Sequence, residues 1–184
     1  MTYLWIGIGV IVALIVLAFN SLAQLRNIVA NAWADIDVFL KRRADLIPNL
    51  VETTKAYSGF ERDTLESVTQ ARSEALSAGS RPAARAEAEN RLATRVHQII
   101  AIAENYPELK ASTQYLRLQE ELAEAEDKIS YARQYYNAAV RDLNTTIDRF
   151  PQNLVAGAFG FKRAEFFSLD EPHQRETPRA NLSQ

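Results

Sequence analysis

Residues Tyr3 to Phe19 form an unbroken apolar run, and this run limits what the chain can fold into. It reads YLWIGIGVIVALIVLAF, and no charged side chain occurs before Arg26. As an α-helix the run extends ~26 Å, and the turns that follow, with Leu22 and Leu25, carry the helix across the ~30 Å hydrocarbon core of a bilayer. Because only a helix satisfies its own backbone polar groups in lipid, the run predicts a transmembrane helix.

Two other interpretations of this run fit the residues less well. A helix in the core of a soluble protein normally keeps one polar face, whereas this one is apolar all round. A cleaved signal peptide has a basic amino-terminal region and a small-residue cleavage site. Met1 and Thr2 carry no basic side chain, and Phe19-Asn20-Ser21 is a poor cleavage context. We therefore expect an uncleaved anchor.

Basic residues lie on only one side of the predicted anchor. Arg26 follows it, and Lys41, Arg42 and Arg43 come later, whereas the residues before the run include no Lys or Arg. Because positively charged flanks tend to stay in the cytoplasm, we expect the soluble part to lie inside the cell and the N-terminus outside.

Two long segments carry heptad patterns, which are typical of coiled-coil helices. In the C-terminal segment, large residues recur every seven positions and a second row follows three positions later: Tyr115, Leu122, Ile129, Tyr136, Leu143, Phe150 and Leu118, Ala125, Ala132, Ala139, Thr146. In the N-terminal segment the rows are Leu25, Ala32, Phe39, Leu46, Thr53 and Val29, Ile36, Arg43, Leu50, Tyr57. This second register continues from the anchor, so we expect one helix to run from the membrane into the bundle, kinked at Pro48.

Two shorter helices are predicted between these segments. A capping box at Ser58 and Glu61 opens the first helix, which ends near Gly79. Pro82 lies in the first turn of the second helix, which stops at Pro107. The predicted fold class is therefore all-α: an N-terminal transmembrane helix followed by an antiparallel, coiled-coil-like bundle of about four helices.

The C-terminal region differs from the helices before it. Residues 153–167 contain two glycines and four phenylalanines, and we expect them to fold back over an open end of the bundle. From Asp170 onward the chain has two prolines and few apolar side chains, which is typical of disorder. The predicted organisation is an anchor over 1–25, a bundle with its aromatic segment over 26–167 and a disordered tail over 168–184.

Composition and residue pattern indicate no catalytic or metal-binding site. The chain has no cysteine and only two histidines. Its net charge is −2, and the sequence shows no clustered basic surface of the kind that binding to nucleic acids requires. An acidic run lies mostly outside the heptad seam: Glu120, Glu121, Glu124, Glu126 and Asp127. It lacks the Glu-x-x-His pairs of a di-iron bundle, so a solvated face is the better interpretation. His97 flanks an apolar stripe, where a boundary histidine is more common than a ligand. We expect no catalytic residue, metal, cofactor or identifiable small-molecule substrate.

The best candidate interaction surface is a polar stripe on the last helix. Its members alternate in spacings of four and three, which places them on one helix face: Ser130, Gln134, Asn137, Arg141, Asn144 and Asp148. A comparable row on the first helix consists of Asn31, Asp35, Arg42, Asp45 and Asn49. Three alternatives stay open: both rows are solvated, they meet inside the bundle, or they bind a protein partner or a second copy.

Arg43 occupies a seam position at which Leu or Ile is expected. Its alkyl stem can pack inward while the guanidinium reaches the edge of the bundle. Alternatively, the side chain is a buried polar residue that pairs with a carboxylate of another helix and fixes the register.

Three segments resemble the hallmark sequences of the LemA family: NAWADIDVFLKRRADLIPNLVETTKAY (31–57), AENYPELKAS (103–112) and ISYARQYYNAAVRDLNTTIDRFPQNLVA (129–156). The resemblance covers residues 20–167, and the tail after Asp170 departs from the family pattern. It implies an N-terminal membrane anchor, a bundle of four main helices and no established enzymatic activity. Some relatives belong to bacterial magnetosome membranes, and others are linked to envelope or membrane-protease functions.

Together these features predict a membrane-anchored interaction or scaffold protein of the bacterial inner membrane, without catalytic activity. Its expected partners are the membrane itself and either another protein or a second copy of the chain. Because the anchor raises the local concentration, weak contacts between helices are sufficient. One alternative is a regulatory subunit of a membrane enzyme such as a protease, and another is an uncharacterised enzyme.

Overall fold

In the computed structural model of the protein, residues 1–56 and 62–168 are described, and they contain helices but no strand. Over these residues the helices are α1 (Thr2–Lys55), α2 (Arg62–Ser77), α3 (Pro82–Ala103), α4 (Pro107–Lys110), α5 (Thr113–Asp148) and α6 (Gln152–Phe159). The predicted all-α fold is confirmed. The predicted capping box at Ser58 and Glu61, as well as the tail from Asp170, lies outside the described residues.

Helix α1 carries the apolar run and continues without interruption through Pro48 to Lys55. Among the described residues, it is the one helix that is long and apolar enough to cross a membrane. A core helix of a soluble protein would be mostly buried, whereas α1 is exposed from Met1 to Leu17. These features support the predicted anchor, and its orientation across the membrane stays a prediction.

The chain divides into two compact units. Among the described residues, the first combines 1–45 with 119–167, and the second contains residues 46–56 and 62–118. Both boundaries fall inside long helices, so α1 and α5 each contribute to both units.

In the first unit, α1 and α5 pack in opposite directions. Arg43 bonds Glu126, and Trp33 lies beside Tyr136 with ring centroids 5.4 Å apart, so the positions on α1 fall as those on α5 rise. The buried seam includes Leu22, Val29, Ile36 and Leu40 on α1 and Leu122, Ala125, Ile129, Ala132, Tyr136, Ala139 and Leu143 on α5. Small alanines between the large residues let the two helices approach closely, as the heptad pattern predicts.

The last predicted seam position is wrong. Helix α5 ends at Asp148, and Phe150 is 75% exposed. Proline lacks an N–H and disfavours helical geometry in the residue before it, so the helix ends ahead of Pro151 and Phe150 leaves the seam.

In the second unit, buried side chains come from every helix that contributes to it: Leu46, Ile47, Leu50, Leu65, Val68, Leu92, Ile99, Leu109, Tyr115 and Leu118. Gly79, with φ of 73°, follows the end of α2, and Pro82 opens α3, both as predicted. Pro107 opens the short helix α4. The Ser112 Oγ accepts a 3.5 Å hydrogen bond from the Tyr115 N–H, which places Ser112 as the cap of α5.

Candidate interaction surface

Arg43 is a buried cation in the seam of the first unit. Its side chain is 2% exposed, and its Nη1 donates to the Glu126 Oε2 over 2.7 Å. Glu126 belongs to the acidic run and lies half-buried at the edge of the seam. Pairing with a carboxylate of the opposite helix offsets part of the cost of taking the guanidinium out of water, and the pair favours one register of the two helices.

A second ion cluster lies next to this pair on the surface. The Glu124 carboxylate accepts from Lys128 over 2.5 Å and lies 3.8 Å from the Arg42 guanidinium. The hydrogen bond from Lys128, its charge and the charge of Arg42 lower the pKa of Glu124. Because all three side chains are solvent-accessible, this cluster adds little stability.

Two asparagines of the polar stripe bond the C-terminal strap, which we define as residues 161–168. Asn144 is buried; its Nδ2 donates to the Ala164 carbonyl over 3.0 Å and its Oδ1 accepts from the Ala164 N–H over 2.9 Å. Asn137 bonds the N–H and the carbonyl of Phe167 in the same way, both over 3.0 Å. Each amide therefore pairs with a peptide backbone as a neighbouring strand would.

The spacing of these two amide pairs fits the geometry of both segments. Asn137 and Asn144 are separated by two helical turns, a rise of ~10 Å. Ala164 and Phe167 are three residues apart, and an extended chain covers ~10 Å in that distance. An extended strap therefore meets both asparagines without distortion.

Aromatic contacts hold the same strap against α1 and α5. The buried Phe167 ring lies 5.5 Å from Trp33 in an edge-to-face arrangement, and the Tyr136 hydroxyl donates to the Glu165 carbonyl over 2.8 Å. Burial, and secondarily the charge of Glu165, raises the pKa of Tyr136 to about 12. The strap thus returns along α5, whereas the sequence suggested that this region folds over an open end of the bundle.

The polar stripe is divided by the strap. Asp148 accepts from Arg163 of the strap over 2.9 Å, as Asn137 and Asn144 accept from its backbone. Gln134 and Arg141 are exposed and Ser130 is half-buried. One half of the stripe is therefore an internal docking site, and the other half faces outward.

Two exposed tyrosines adjoin the outward half of the stripe. Tyr131 is 76% exposed and Tyr135 is 53% exposed, and with Gln134 and Arg141 they occupy an arc of about 120° on α5 at 100° per residue. We call these four residues the outer α5 surface. Tyrosine and arginine are enriched among residues that dominate binding energy. The exposure of the two tyrosines could be predicted from the sequence, because both lie outside the heptad seam.

The other residues singled out from the sequence lie on solvated surface. The polar row of α1 is exposed at Asn31, Asp35, Arg42, Asp45 and Asn49. His97 is exposed as well. Among residues 1–56 and 62–168, no group of three or more His, Asp or Glu is arranged to hold a metal ion.

The second unit has a polar cleft of ≈520 Å³ between α2 and α3. Arg91 lies at its wall and bonds both Glu74, over 3.3 Å, and Glu87, over 2.9 Å. Because two carboxylates surround this guanidinium, the cleft does not resemble a site for an anion. Deeper in α3, Arg85 and Glu89 form a buried pair at 3.0 Å that the sequence pattern did not reveal.

A sequence profile of the LemA family matches residues 32–181. The chain belongs to the LemA family. The match extends into the tail, where the resemblance described above stops, and it includes all three hallmark segments except the first residue of the first one.

The chain of this LemA-family protein is also similar to several individual proteins. Magnetosome protein MamQ 2 of Paramagnetospirillum magneticum is 25% identical over 181 residues, which cover 85% of this chain and 66% of that protein. Protein LemA of Metamycoplasma hominis is 27% identical over 163 residues, 89% of this chain and 74% of that one. Magnetosome protein MamQ of Magnetospirillum gryphiswaldense is 22% identical, over 83% and 65% of the two chains. The chain thus spans about two thirds of the MamQ proteins, and none of these names is that of an enzyme.

Proposed function

We propose that the protein is a membrane-anchored interaction protein, or scaffold, without catalytic activity, and that its outer α5 surface binds a protein partner. The observation that carries the proposal is the exposure of Tyr131 and Tyr135 beside Arg141 on one face of a long helix. Tyrosine offers a large contact area and loses little conformational entropy on binding, and arginine is enriched with it among the residues that dominate binding energy.

The setting of this surface favours binding. The opposite flank of α5 is fixed by the seam and by the two asparagine pairs with the strap, so the outer residues are displayed on a rigid support. The anchor confines the protein to two dimensions, which raises the effective concentration of any partner in the same membrane. Weak contacts through four side chains are then sufficient for association.

Site-specific photo-cross-linking in intact membranes tests the proposal. A photoreactive amino acid at Tyr131 or Tyr135 of the full chain should capture a protein. The same amino acid at Glu120, an exposed position on this side of α5 that lies ~16 Å from Tyr131 along the helix, should not. Arg141→Ala should reduce capture from Tyr135 while lowering the melting temperature only slightly. Equal capture from all three positions, or none, would refute the surface.

The captured protein also distinguishes the classes of function. Recovery of the chain itself indicates self-association, and recovery of one membrane enzyme in stoichiometric amount indicates a regulatory subunit.

We further propose the bacterial inner membrane as the location, with the domain in the cytoplasm, on the basis of the basic residues that follow the anchor. A reporter fused after Gln184 should then be active only in its cytoplasmic form, and activity on the outer side would reverse this orientation.

A further inference from the structure

A short uncharged segment follows α5 and contains α6. Between Arg149 and Lys162 the chain reads FPQNLVAGAFGF, without a charged side chain. Charged residues flank it closely, Asp148 and Arg149 on one side and Lys162 and Arg163 on the other. A helix of this length cannot span a bilayer, which requires ~20 residues.

Helix α6 packs against the apolar part of α1. The Phe159 and Phe161 rings lie 5.0 and 5.5 Å from the Phe19 ring, both edge-on. Further along, an apolar cavity of ≈320 Å³ is lined by residues of α1 that include Ile11 and Leu14 and by residues of α6 that include Leu154. Both segments belong to the first compact unit.

The position of Ile11 gives the depth of α6. Ile11 lies at the middle of the run from Tyr3 to Phe19, so it is about 12 Å from either end at 1.5 Å per residue. If α1 spans the membrane, the part of α6 next to Ile11 therefore lies within the hydrocarbon region of the leaflet on the side of the soluble domain.

The outward side of α6 is also largely apolar, with an exposed Asn153 in its first turn. Leu154 is 64% exposed, and Gly157 and Ala158 beside it are exposed. Leu14 of the anchor is exposed alongside them. In water this would be a large exposed apolar surface of the kind that soluble proteins avoid, whereas in lipid it needs no cover.

The backbone at both ends of α6 is hydrogen-bonded within the segment. The Phe161 N–H donates to the Ala156 carbonyl over 2.9 Å, and the Asn153 N–H donates to the Arg149 carbonyl over 2.8 Å. Gly160 makes the first of these possible, because its φ of 71° lets the chain turn back over the helix end. These bonds pair part of the backbone at the two helix ends, which lowers the cost of placing them in hydrocarbon.

Basic side chains mark the level at which the segment leaves this region. The Arg26 guanidinium lies 5.4 Å from the centroid of the Phe161 ring, and Lys162, the next residue, is exposed. Cations at the border of an apolar segment are placed to meet lipid phosphates.

We propose that α6 is a second membrane-inserted element, a short helix seated among the acyl chains of one leaflet beside the anchor and covered by lipid. This interaction surface is separate from the outer α5 surface and does not depend on it. The protein would then hold its domain at a fixed height and rotation on the membrane, because two elements are immersed rather than one.

Spin labels on the full chain in phospholipid vesicles test the proposal. The chain has no native cysteine, so single cysteines at Leu154 and Gly157 can be labelled without other changes. A Cβ at Gly157 would meet no atom within 4 Å, so this site accepts a label even if Leu154→Cys fails to fold. Leu14→Cys is the matched control in lipid, and Asp127→Cys is the control in water.

At Leu154 and Gly157, collisions with oxygen should match those at Leu14, and collisions with a water-soluble nickel complex should be largely lost, as at Leu14. Nickel access equal to that at Asp127 would overturn the proposal, because α6 would then lie in water. Exclusion of both reagents together with spin–spin broadening between labels would also overturn it, since a second copy rather than lipid would cover α6. Circular dichroism confirms that each labelled variant is helical.

Discussion

Tyr135 and Tyr136 are neighbours on α5, yet they belong to two different regions of the molecule. Tyr136 is 2% exposed and bonds the strap, whereas Tyr135 is 53% exposed. The stripe residues divide in the same way, with Asn137 on the strap side and Gln134 on the outer side. Side chains of the kind that bind partners therefore lie on both flanks of α5. The strap, which follows 20 to 30 positions later in the chain, returns to one of these flanks and occupies it.

The largest expected loss of stability comes from substitutions in the seam, compared with the outer flank. Ile129→Ala removes a buried side chain and should lower the free energy of unfolding by ~2–5 kcal/mol, and Leu122→Ala should act similarly. Tyr131→Ala, two residues from Ile129 on the outer flank, should cost no more than ~0.5 kcal/mol. Chemical denaturation of the full chain in detergent micelles measures both losses, and equal losses would mean that the register is misassigned.

The asparagine pairs should give the next largest effect. Asn137→Ala or Asn144→Ala leaves an N–H and a carbonyl of the strap without their partners, which should cost ~1–3 kcal/mol each. Gln134→Ala is the matched control on the outer flank and should cost less than ~0.5 kcal/mol.

Limited trypsin digestion gives an independent measurement of the same pairs. Release of the strap should speed cleavage after Lys162 and Arg163 in the Asn144→Ala variant but not in the Gln134→Ala variant. Unchanged stability together with unchanged cleavage would show that the strap is held without the asparagines.

The pKa of Tyr136 predicts a smaller, pH-dependent difference. Burial raises this pKa from 10.0 to about 12, so the folded protein retains the phenolic proton over a range in which the unfolded chain loses it. The contribution of this group to stability is therefore complete below pH ~10 and is lost as the pH rises toward 12.

Tyr136→Phe tests this linkage. The variant loses the hydrogen bond to the Glu165 carbonyl, at a cost of ~0.5–1.5 kcal/mol at neutral pH. Its melting temperature should then fall less steeply than that of the parent chain between pH 10 and 12. Tyr135→Phe is the control on the outer flank, and identical slopes for Tyr136→Phe and the parent would contradict the assignment.

The sequence was sufficient for the features that depend on local periodicity. The anchor, the long helices and the seam follow from apolar residues that recur along one helix, and each is visible within a few turns. The position of the strap is not a local property, because nothing in Asn137 or Asn144 specifies that Phe167 and Ala164 will return to them. The same holds for α6, whose apolar stretch is too short to predict a membrane segment until its place beside Ile11 is known.

The smallest expected effect lies on the outer α5 surface. Gln134→Ala combined with Arg141→Ala removes the two stripe residues that belong to the outer α5 surface, and neither side chain is enclosed by the fold. Surface substitutions of this kind change stability by ~0.5 kcal/mol or less. We expect Arg141→Ala to lower stability slightly more than Gln134→Ala. Arg141 follows the buried Val140, and an arginine in such a place packs its stem on apolar neighbours. Thermal melts of both single variants and of the double variant, with Asn137→Ala as the destabilised reference, measure the difference. A loss as large as that of Asn137→Ala would mean that the outer residues are part of the fold, and the surface would then have no free side chains to offer a partner.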